Sequence, residues 1–310
     1  MTIVVTGAAG FIGRALVAAL TQRSPDAEIV AVDQSPVDAP GARVLIGNIA
    51  YPRFARSLVD GSVDTVFHLA SLVSGGAEQN FELGTKVNLD ATRDLLEACR
   101  LAGHRPRFVF ASSIAIYGGA LPDPVTDDTP PAPRISYGVQ KLVCEMLIND
   151  YTRRGYVDGR SLRLPTIMVR PGSANTAVSG WASAIVREPL AGRDYVCPVR
   201  PDTRMACLSL TRTVDALLHA ARLAADALHW DRTVLLTGIP VSAEAMWRAV
   251  QRRAGNRRLG QVSFQPDPAL QAIMDRVPGA TRSERAARLG FAHSSGIDEI
   301  VDEHLLTLQL

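Results

Sequence analysis

Residues 2–13 read Thr2-Ile3-Val4-Val5-Thr6-Gly7-Ala8-Ala9-Gly10-Phe11-Ile12-Gly13, a largely apolar run followed at once by three spaced glycines. A turn from a strand directly into a helix leaves the first N–H groups of the helix free, and these donors, together with the helix dipole, attract a pyrophosphate. Gly7 permits the tight turn, Gly10 lets a phosphate approach the backbone, and Gly13 lets the helix pack closely on the strand. This GxxGxxG pattern favours a dinucleotide site, although three glycines would also suit a purely structural turn.

A carboxylate at the end of the second predicted strand favours the dinucleotide interpretation. Asp33 lies about 20 residues beyond the glycines, where a carboxylate can accept hydrogen bonds from both ribose hydroxyls. Its charge repels a 2′-phosphate, and no arginine follows in Gln34-Ser35-Pro36. We therefore expect the cofactor to be NAD rather than NADP. The alternative for Asp33 is a turn residue at the end of a strand.

Residues at the ends of later strands complete the predicted cofactor site. Asn48 follows the third strand, where its amide can hydrogen-bond the adenine, and a simple Asx turn is the alternative. His68 ends the fourth strand and is interpreted as a packed strand residue rather than a catalyst. Besides the glycines and Asp33, the predicted cofactor contacts are Phe11, Ile12, Asn48, Ile49, Leu69, Ala70, Tyr137, Lys141 and Pro165.

Short β-rich runs alternate with longer segments of helical period along the first half of the chain. This alternation predicts an α/β protein with a Rossmann-type, doubly wound parallel sheet and a smaller mixed C-terminal substrate-binding lobe. We expect the cofactor-binding domain, with the catalytic residues, in 1–170 and the lobe in 171–310, interleaved and without a linker. The predicted strands are Ile3–Thr6, Glu28–Asp33, Arg43–Ile46, Thr65–Leu69, Arg107–Ser112 and Ser161–Leu164. The predicted helices are Phe11–Gln22, Val87–Leu101, Ser136–Arg154, Thr176–Arg187, Thr211–Ala225, Ala243–Arg253 and Ile297–Leu308, and the five prolines in Leu121–Arg134 predict an extended loop.

The composition is that of an ordinary globular protein, with 47% hydrophobic and 21% charged residues and a formal net charge of +2. The sequence has no basic stripe interleaved with aromatic residues, which nucleic-acid binding would favour. It also has no apolar run that approaches the roughly 20 residues needed to span a bilayer. The four cysteines and six histidines lack the spacing of metal ligands. We therefore expect a cytoplasmic protein with a small-molecule substrate and no metal.

Three polar residues in the middle of the chain form a candidate catalytic group. Tyr137 and Lys141 are four residues apart in a predicted helix, which places both on one face. A free tyrosine is a poor base at neutral pH, but a nearby ammonium and a positively charged nicotinamide stabilise its phenolate. Ser113 ends a predicted strand and can hydrogen-bond the reacting oxygen, with Ser112 as the competing candidate. The pattern favours hydride-transfer chemistry.

The four elements together, GxxGxxG, Asp33, the Ser113 segment and the Tyr137/Lys141 pair, resemble the extended short-chain dehydrogenase/reductase family over essentially the whole chain. The resemblance implies a catalytic triad of Ser113, Tyr137 and Lys141. Nucleotide-sugar epimerases and dehydratases are the commonest members of that family. Dehydratases carry an Asp-Glu pair just after the active-site Ser or Thr, where this chain has Ile114-Ala115, so elimination is not expected.

Further segments resemble a subgroup that oxidises the C2 hydroxyl of a four-carbon sugar acid. These segments are Val73-Ser74-Gly75-Gly76-Ala77-Glu78, Thr126-Asp127-Asp128-Thr129-Pro130, Arg163-Leu164-Pro165-Thr166 and Arg187-Glu188-Pro189-Leu190. Thr166 stands where many epimerases have an Asn, which argues against a diphosphate-sugar contact. The candidate substrate contacts are Ser74, Ser113, Tyr137, Thr166, Asn175 and Arg187. For Arg187, an exposed cation in the last turn of a helix is the alternative.

The resemblance leaves three functions and one assembly to weigh. An NAD-dependent dehydrogenase of a sugar acid is the preferred hypothesis, and a nucleotide-sugar epimerase is the alternative. A non-catalytic NAD-sensing module is disfavoured because it has no use for Ser113, Tyr137 and Lys141 together. The predicted helices Val87–Leu101 and Ser136–Arg154 have apolar residues beyond one stripe. Relatives often dimerise by pairing these two helices, so we expect a homodimer, although burial in the core would explain the same apolar residues.

Overall fold

A computed structural model gives the structure of the protein and describes residues 1–172 and 178–308. The chain forms two compact units. The first comprises Met1–Ile116, Ile135–Arg163 and Val214–Val234, and the second comprises Tyr117–Arg134, Leu164–Thr213 and Leu235–Leu310. The segment Val214–Val234, which a division at residue 170 assigns to the C-terminal lobe, thus belongs to the first unit.

The elements follow one another along the chain as short strands and longer helices. The strands are β1 (Thr2–Thr6), β2 (Glu28–Asp33), β3 (Arg43–Ile46), β4 (Val63–His68), β5 (Arg107–Ser113), β6 (Asp158–Leu164), β7 (Thr166–Met168), β8 (Tyr195–Cys197), β9 (Arg204–Ser209), β10 (Thr233–Leu235), β11 (Ile239–Ser242) and β12 (Val262–Phe264). The helices are α1 (Phe11–Arg23), α2 (Pro52–Ser57), α3 (Ser74–Gln79), α4 (Phe81–Gly84), α5 (Ala91–Ala102), α6 (Ser136–Arg153), α7 (Gly180–Leu190), α8 (Leu210–Arg222), α9 (Ala243–Arg253), α10 (Pro268–Met274), α11 (Glu284–Arg288) and α12 (Ile297–Thr307).

A seven-stranded sheet with the order β10-β6-β5-β4-β1-β2-β3 is the centre of the fold. β1 pairs in parallel with β2 and with β4, β2 pairs with β3, and β4 pairs with β5. The inner strands β1 and β2 are buried along most of their length, as in Val4 and Val5 of β1 and Val30 to Val32 of β2, because both faces of such a sheet are covered. The predicted α/β class with a parallel sheet is confirmed. The strand order reverses between β1 and β4, so a crevice opens at the carboxyl ends of these two strands.

The helix predicted over Val87–Leu101 differs at its start from the observed elements. In the structure α4 leads into a π-helical turn, Thr85–Asp90, and then into α5. A π-helical turn inserts extra residues into the helical repeat, so the apolar period of α5 does not continue back through it. Helix α5 ends at Gly103, whose φ of +76° is the left-handed conformation that closes many helices.

The bounds of β6 and α7 also differ from the predicted ones. β6 begins at Asp158, three residues before the predicted start. Its charged residues look like exposed sequence, but they are paired, since Arg160 is buried and lies 2.6 Å from the Asp158 carboxylate. The helix predicted over Thr176–Arg187 is α7, which begins at Gly180 and continues beyond Arg187. Thr176 itself lies outside the described residues.

The second unit has its own sheet and core. Strand β9 pairs in parallel with β7 and antiparallel with β11, and β8 pairs with β12. The apolar residues of these strands pack with those of α7, α9 and α12 into one cluster, which includes Trp181, Met246 and Ile300. The proline-rich segment Leu121–Arg134 forms no regular helix or strand and touches the rest of this unit through an isolated bridge at Val125.

Candidate active site

The glycine turn between β1 and α1 is packed as tightly as its sequence predicts. Gly7 has a φ of +73°, and a Cβ there would lie 2.6 Å from the Ala70 backbone nitrogen. A Cβ on Gly13 would lie 2.1 Å from the Gly7 carbonyl oxygen. Helix α1 has no side-chain cap and no acidic residue in its first turn, so its first N–H groups face no carboxylate of their own helix. The turn thus offers backbone donors at a helix N-terminus.

A cleft at the carboxyl ends of the first strands brings together many of the predicted cofactor contacts. It is lined by Gly7, Gly10, Val32, Asp33, Gln34, Gly47, Asn48, Ile49, Leu69, Ala70, Ser71, Leu72, Leu83 and Val87. The Asp33 carboxylate accepts hydrogen bonds from the backbone N–H groups of Ala9 and Ser35, both at 3.0 Å. Asn48 forms the Asx turn, because its Oδ1 accepts from Ala50 N–H at 2.9 Å, while the residue also lines the cleft. Phe11 and Ile12 begin α1, and Pro165 belongs to the second unit.

The predicted catalytic residues lie at the end of β5 and in the first turns of α6. Lys141 is only 2% exposed, and its Nζ donates to the Ala111 carbonyl oxygen at 2.8 Å. The same Nζ lies 5.5 Å from the centroid of the Tyr137 ring and 4.5 Å from that of Phe110. Ser113 is the last residue of β5, and its Oγ accepts from Ala115 N–H at 3.1 Å. An ammonium, a phenol and a hydroxyl are therefore held on two adjoining elements of the first unit.

The structure separates the two candidate serines. Ser112 is buried, and its hydroxyl donates to Glu145 Oε1 at 2.5 Å. Ser113 is half-buried, and its hydroxyl hydrogen has no carboxylate partner among the hydrogen bonds of the described residues. Only Ser113 keeps a donor for a reacting oxygen, which favours it as the catalytic serine.

His68 is fully buried in β4 and has a hydrogen-bond partner on each ring nitrogen. Thr92 Oγ1 donates to the Asn88 carbonyl at 2.7 Å, so it accepts from His68 Nε2, 2.9 Å away. Nδ1 is then the acceptor for the Thr6 hydroxyl at 2.7 Å. Burial, with the nearby Lys141 ammonium as a second cause, lowers the pKa of His68 to about 3. The neutral ring is thus a packed strand residue that links β1 and β4 to α5.

His68 gives the protein a pH-dependent stability. An unfolded histidine takes up a proton below pH 6.5, whereas the buried ring resists protonation down to about pH 3. The contribution of the neutral ring to the free energy of unfolding is therefore fully present above pH 6.5 and is lost as the pH falls towards 3. At pH 5 the loss amounts to about 2 kcal/mol. Urea unfolding at pH 7 and pH 5 measures it against His68→Gln, which should be less stable at both pH values but should lose less on acidification. Equal losses in the two proteins would contradict this origin.

Several polar residues of this region escape sequence-based prediction. The Asn88 side chain accepts from Leu72 N–H at 2.8 Å and donates to the Leu72 carbonyl at 3.0 Å and to Gln140 Oε1 at 2.7 Å. It therefore ties the wall of the cleft to α6. Helix α6 has no capping side chain of its own, and the Glu78 carboxylate of α3 accepts from its first backbone N–H, that of Ser136. The available signal is that Gln140 and Glu145 flank Lys141 closely in the same helix, where all three are buried.

The predicted substrate contacts have different surroundings. Ser74 is the first residue of α3 in the first unit, and Thr166 is the first residue of β7 in the second. Arg187 is held by protein partners, since its Nε lies 2.9 Å from Glu188 Oε1 and its Nη1 donates to the Arg170 carbonyl at 2.8 Å. The alternative of an exposed cation does not apply, because only 11% of the Arg187 side chain is exposed. Asn175 lies outside the described residues.

Neither metal ligation nor membrane insertion is indicated by the part of the chain that the structure describes. Its His, Cys, Asp and Glu side chains form no group of three or more that could hold a metal ion. No helix in residues 1–172 and 178–308 has the length and apolar character needed to cross a membrane. The four cysteines are buried free thiols, and burial raises the pKa of Cys99 to about 12.

A Rossmann-type sheet with a glycine turn and a Ser-Tyr-Lys group defines a nicotinamide-dependent oxidoreductase that acts on a CH–OH group. Residues 3–230 match the model of the NAD dependent epimerase/dehydratase family. The chain belongs to this family, and the resemblance to the extended short-chain dehydrogenases/reductases is confirmed.

Curated relatives and solved structures match nearly the whole chain. D-erythronate dehydrogenase of Cupriavidus necator is 44% identical, over 98% of this chain and 98% of the relative. D-erythronate dehydrogenase of Haemophilus influenzae is 37% identical, over 98% and 99%. The crystal structure of a nucleoside-diphosphate-sugar epimerase from Agrobacterium tumefaciens superposes with a TM-score of 0.93 at 35% identity, covering 99% of this chain and 94% of that one.

Proposed function

We propose that the protein is an NAD-dependent dehydrogenase that oxidises the C2 hydroxyl of D-erythronate to 2-dehydro-D-erythronate in sugar-acid catabolism. The redox chemistry is supported by the group Ser113, Tyr137 and Lys141 on β5 and α6, in the same unit as the cleft that the glycine turn lines. The substrate assignment is supported by the two D-erythronate dehydrogenases that share 44% and 37% of their residues with this chain. The proposal includes a cytoplasmic location.

The first unit suits NAD on features of its own. The glycine turn leaves backbone donors for a pyrophosphate, and the Asp33 carboxylate lies in the same cleft. Asp33 would accept from the two ribose hydroxyls and would repel the 2′-phosphate of NADP. Asn48 would contribute its amide to the adenine, and Leu69 and Ala70 would line the passage towards α6. When bound, the cofactor supplies the hydride acceptor.

The residues of the first unit would divide the chemistry among them. Tyr137, as phenolate, removes the proton of the C2 hydroxyl while the C2–H bond breaks and its electron pair leaves as hydride. Ser113 donates a hydrogen bond to the oxygen that becomes the carbonyl. Lys141 would stabilise the phenolate and direct its other N–H donors to the nicotinamide ribose, since among the described residues one of the three donates to Ala111. The proton and the hydride together balance the oxidation of the alcohol.

The turn after Ser113 supports oxidation rather than dehydration. Ile114 and Ala115 follow Ser113 in a 3₁₀ turn, so this turn offers no acid and base for elimination.

We keep Ser74, Thr166 and Asn175 as the proposed contacts of the substrate carboxylate. Arg187 remains a weaker proposal, because Glu188 already neutralises its charge.

An NAD reduction assay at 340 nm with a panel of aldonic acids and UDP-sugars tests the proposal. D-erythronate should reduce added NAD, and NADP should be used far less well. The alternative is a nucleotide-sugar epimerase, favoured by the similarity to the Agrobacterium tumefaciens epimerase at 35% identity. An epimerase would convert a UDP-sugar without net reduction of added NAD, and no response to any acid would reject the dehydrogenase proposal.

We also propose that the protein forms a homodimer through α6. Val139, Val143 and Met146 recur at helical spacing on this helix, and they are 47%, 38% and 62% exposed. Such an apolar stripe is typical of a helix that pairs with another helix. Sedimentation analysis should give twice the chain mass, and Met146→Glu should give a monomer. A monomeric wild-type protein would reject this proposal.

A further inference from the structure

Residues on two successive turns of α6 form hydrogen bonds with two successive residues of β5. Lys141 donates to the carbonyl oxygen of Ala111 at 2.8 Å. Four residues further along the helix, Glu145 accepts from the hydroxyl of Ser112 at 2.5 Å. The next residue of the strand is Ser113, the candidate catalytic serine. The register of this strand against the helix that carries Tyr137 is therefore fixed by two buried polar contacts beside the reacting groups.

The hydrogen bond from Ser112 to Glu145, called the tether below, ends on a buried carboxylate. The Glu145 side chain is 2% exposed, and an isolated carboxylate at such a depth would be costly. Arg163 of the neighbouring strand β6 offsets that cost, because its Nη2 lies 2.9 Å from Glu145 Oε2 and its Nε 3.2 Å from both carboxylate oxygens. A charged acceptor also makes the hydrogen bond from the Ser112 hydroxyl stronger than a neutral one. One carboxylate thus joins β5, β6 and α6.

We propose that Glu145 is a positioning residue for catalysis, which holds Ser112 and, through it, Ser113 in register with Tyr137 and Lys141. The inference rests on the proposed function for its kinetic consequence. A displacement of about 1 Å of a reacting group can cost roughly 100-fold in rate. Loss of the tether should therefore lower turnover much more than it lowers the affinity for NAD.

Ser112→Ala removes the tether and leaves the Glu145–Arg163 ion pair in place. The matched control is Ser161→Ala on β6, because the Ser161 hydroxyl is equally buried and has no hydrogen-bond partner in the described structure. We expect kcat to fall about tenfold or more in Ser112→Ala, with KM for NAD within about twofold of wild type. Ser161→Ala should match wild type. Ser112→Thr, which restores a hydroxyl, should recover most of the lost rate.

A second readout does not depend on the substrate. Hydrogen–deuterium exchange, followed by mass spectrometry on peptides covering residues 108–116, should be faster in Ser112→Ala and unchanged in Ser161→Ala. Deuteration of the substrate at C2 should also slow Ser112→Ala by a larger factor than wild type, since a misplaced Ser113 makes the chemical step rate-limiting.

The outcomes separate the two proposals. If wild type does not oxidise D-erythronate, the proposed function fails, and the exchange experiment alone decides the tether. Unchanged exchange at residues 108–116 in Ser112→Ala would overturn the positioning role. So would wild-type kcat in Ser112→Ala, or an equal loss in Ser112→Ala and Ser161→Ala, because a general packing defect would then account for the effect.

Discussion

Replacement of Tyr137 by Phe should lower kcat for D-erythronate oxidation by about 1,000-fold while NAD still binds. Proton transfer by a positioned side chain contributes roughly 10²- to 10⁴-fold to an enzyme's rate, and Phe keeps the ring but lacks the oxygen that takes the proton. The ring packs near Lys141, whose Nζ lies 5.5 Å from its centroid, so the shape of the site is preserved. Steady-state kinetics give kcat, and calorimetric titration gives the dissociation constant for NAD.

The control for this substitution is Tyr51→Phe, which removes the hydroxyl of an exposed tyrosine outside the cleft lining. That variant should keep wild-type rates. If Tyr137→Phe retained more than about a tenth of the wild-type kcat, a role as general base, which contributes at least roughly 100-fold, would be wrong.

Replacement of Gly13 by Ala should weaken NAD binding by about 100-fold or more and lower the thermal stability. The new Cβ would lie 2.1 Å from the Gly7 carbonyl oxygen and 2.8 Å from Ala8 Cα, so α1 or the turn must move. Overpacking typically costs roughly 1–3 kcal/mol, and a contact with rigid backbone belongs at the upper end of that range. A loss of about 3 kcal/mol in binding corresponds to roughly 100-fold in affinity. Calorimetry and thermal denaturation measure the two effects.

Gly61→Ala is the matched control, because a Cβ there meets nothing within 4 Å and the residue has no left-handed φ. It should leave both the NAD affinity and the melting temperature near their wild-type values. Wild-type NAD affinity in Gly13→Ala would show that the cofactor does not use the close approach of α1 to the turn.

Local sequence patterns predict those parts of the fold that depend on local geometry. The glycine turn follows from the needs of a strand-to-helix connection, and the bounds of β2 and of α9 follow from their own periodicity. The start of β6 escapes prediction because a buried ion pair between Asp158 and Arg160 looks like exposed polar sequence. The helix predicted through Asn88 is misplaced because a π-helical turn interrupts the period on which such predictions depend.

The candidate site likewise contains one part that local sequence predicts and another that it does not. Tyr137 and Lys141 are one helical turn apart, so their proximity follows from helix geometry alone. Ser112 and Ser113 cannot be distinguished by sequence, because the deciding partner, Glu145, is 33 positions from Ser112 in the chain. Asn88 and Gln140 are 52 positions apart and meet only through the packing of α6 beside the π-helical turn. Contacts of this range require the tertiary structure, and they lie beside the candidate catalytic residues.

Isotope transfer from C2 of the substrate to the cofactor tests most directly whether the protein oxidises the C2 hydroxyl of D-erythronate with NAD. D-erythronate deuterated at C2 is incubated with the wild-type protein and unlabelled NAD, and the NADH formed is examined by mass spectrometry. Oxidation at C2 should give NADH that carries one deuterium and a product that carries none at C2. Unlabelled NADH, or deuterium retained in the product, would contradict it.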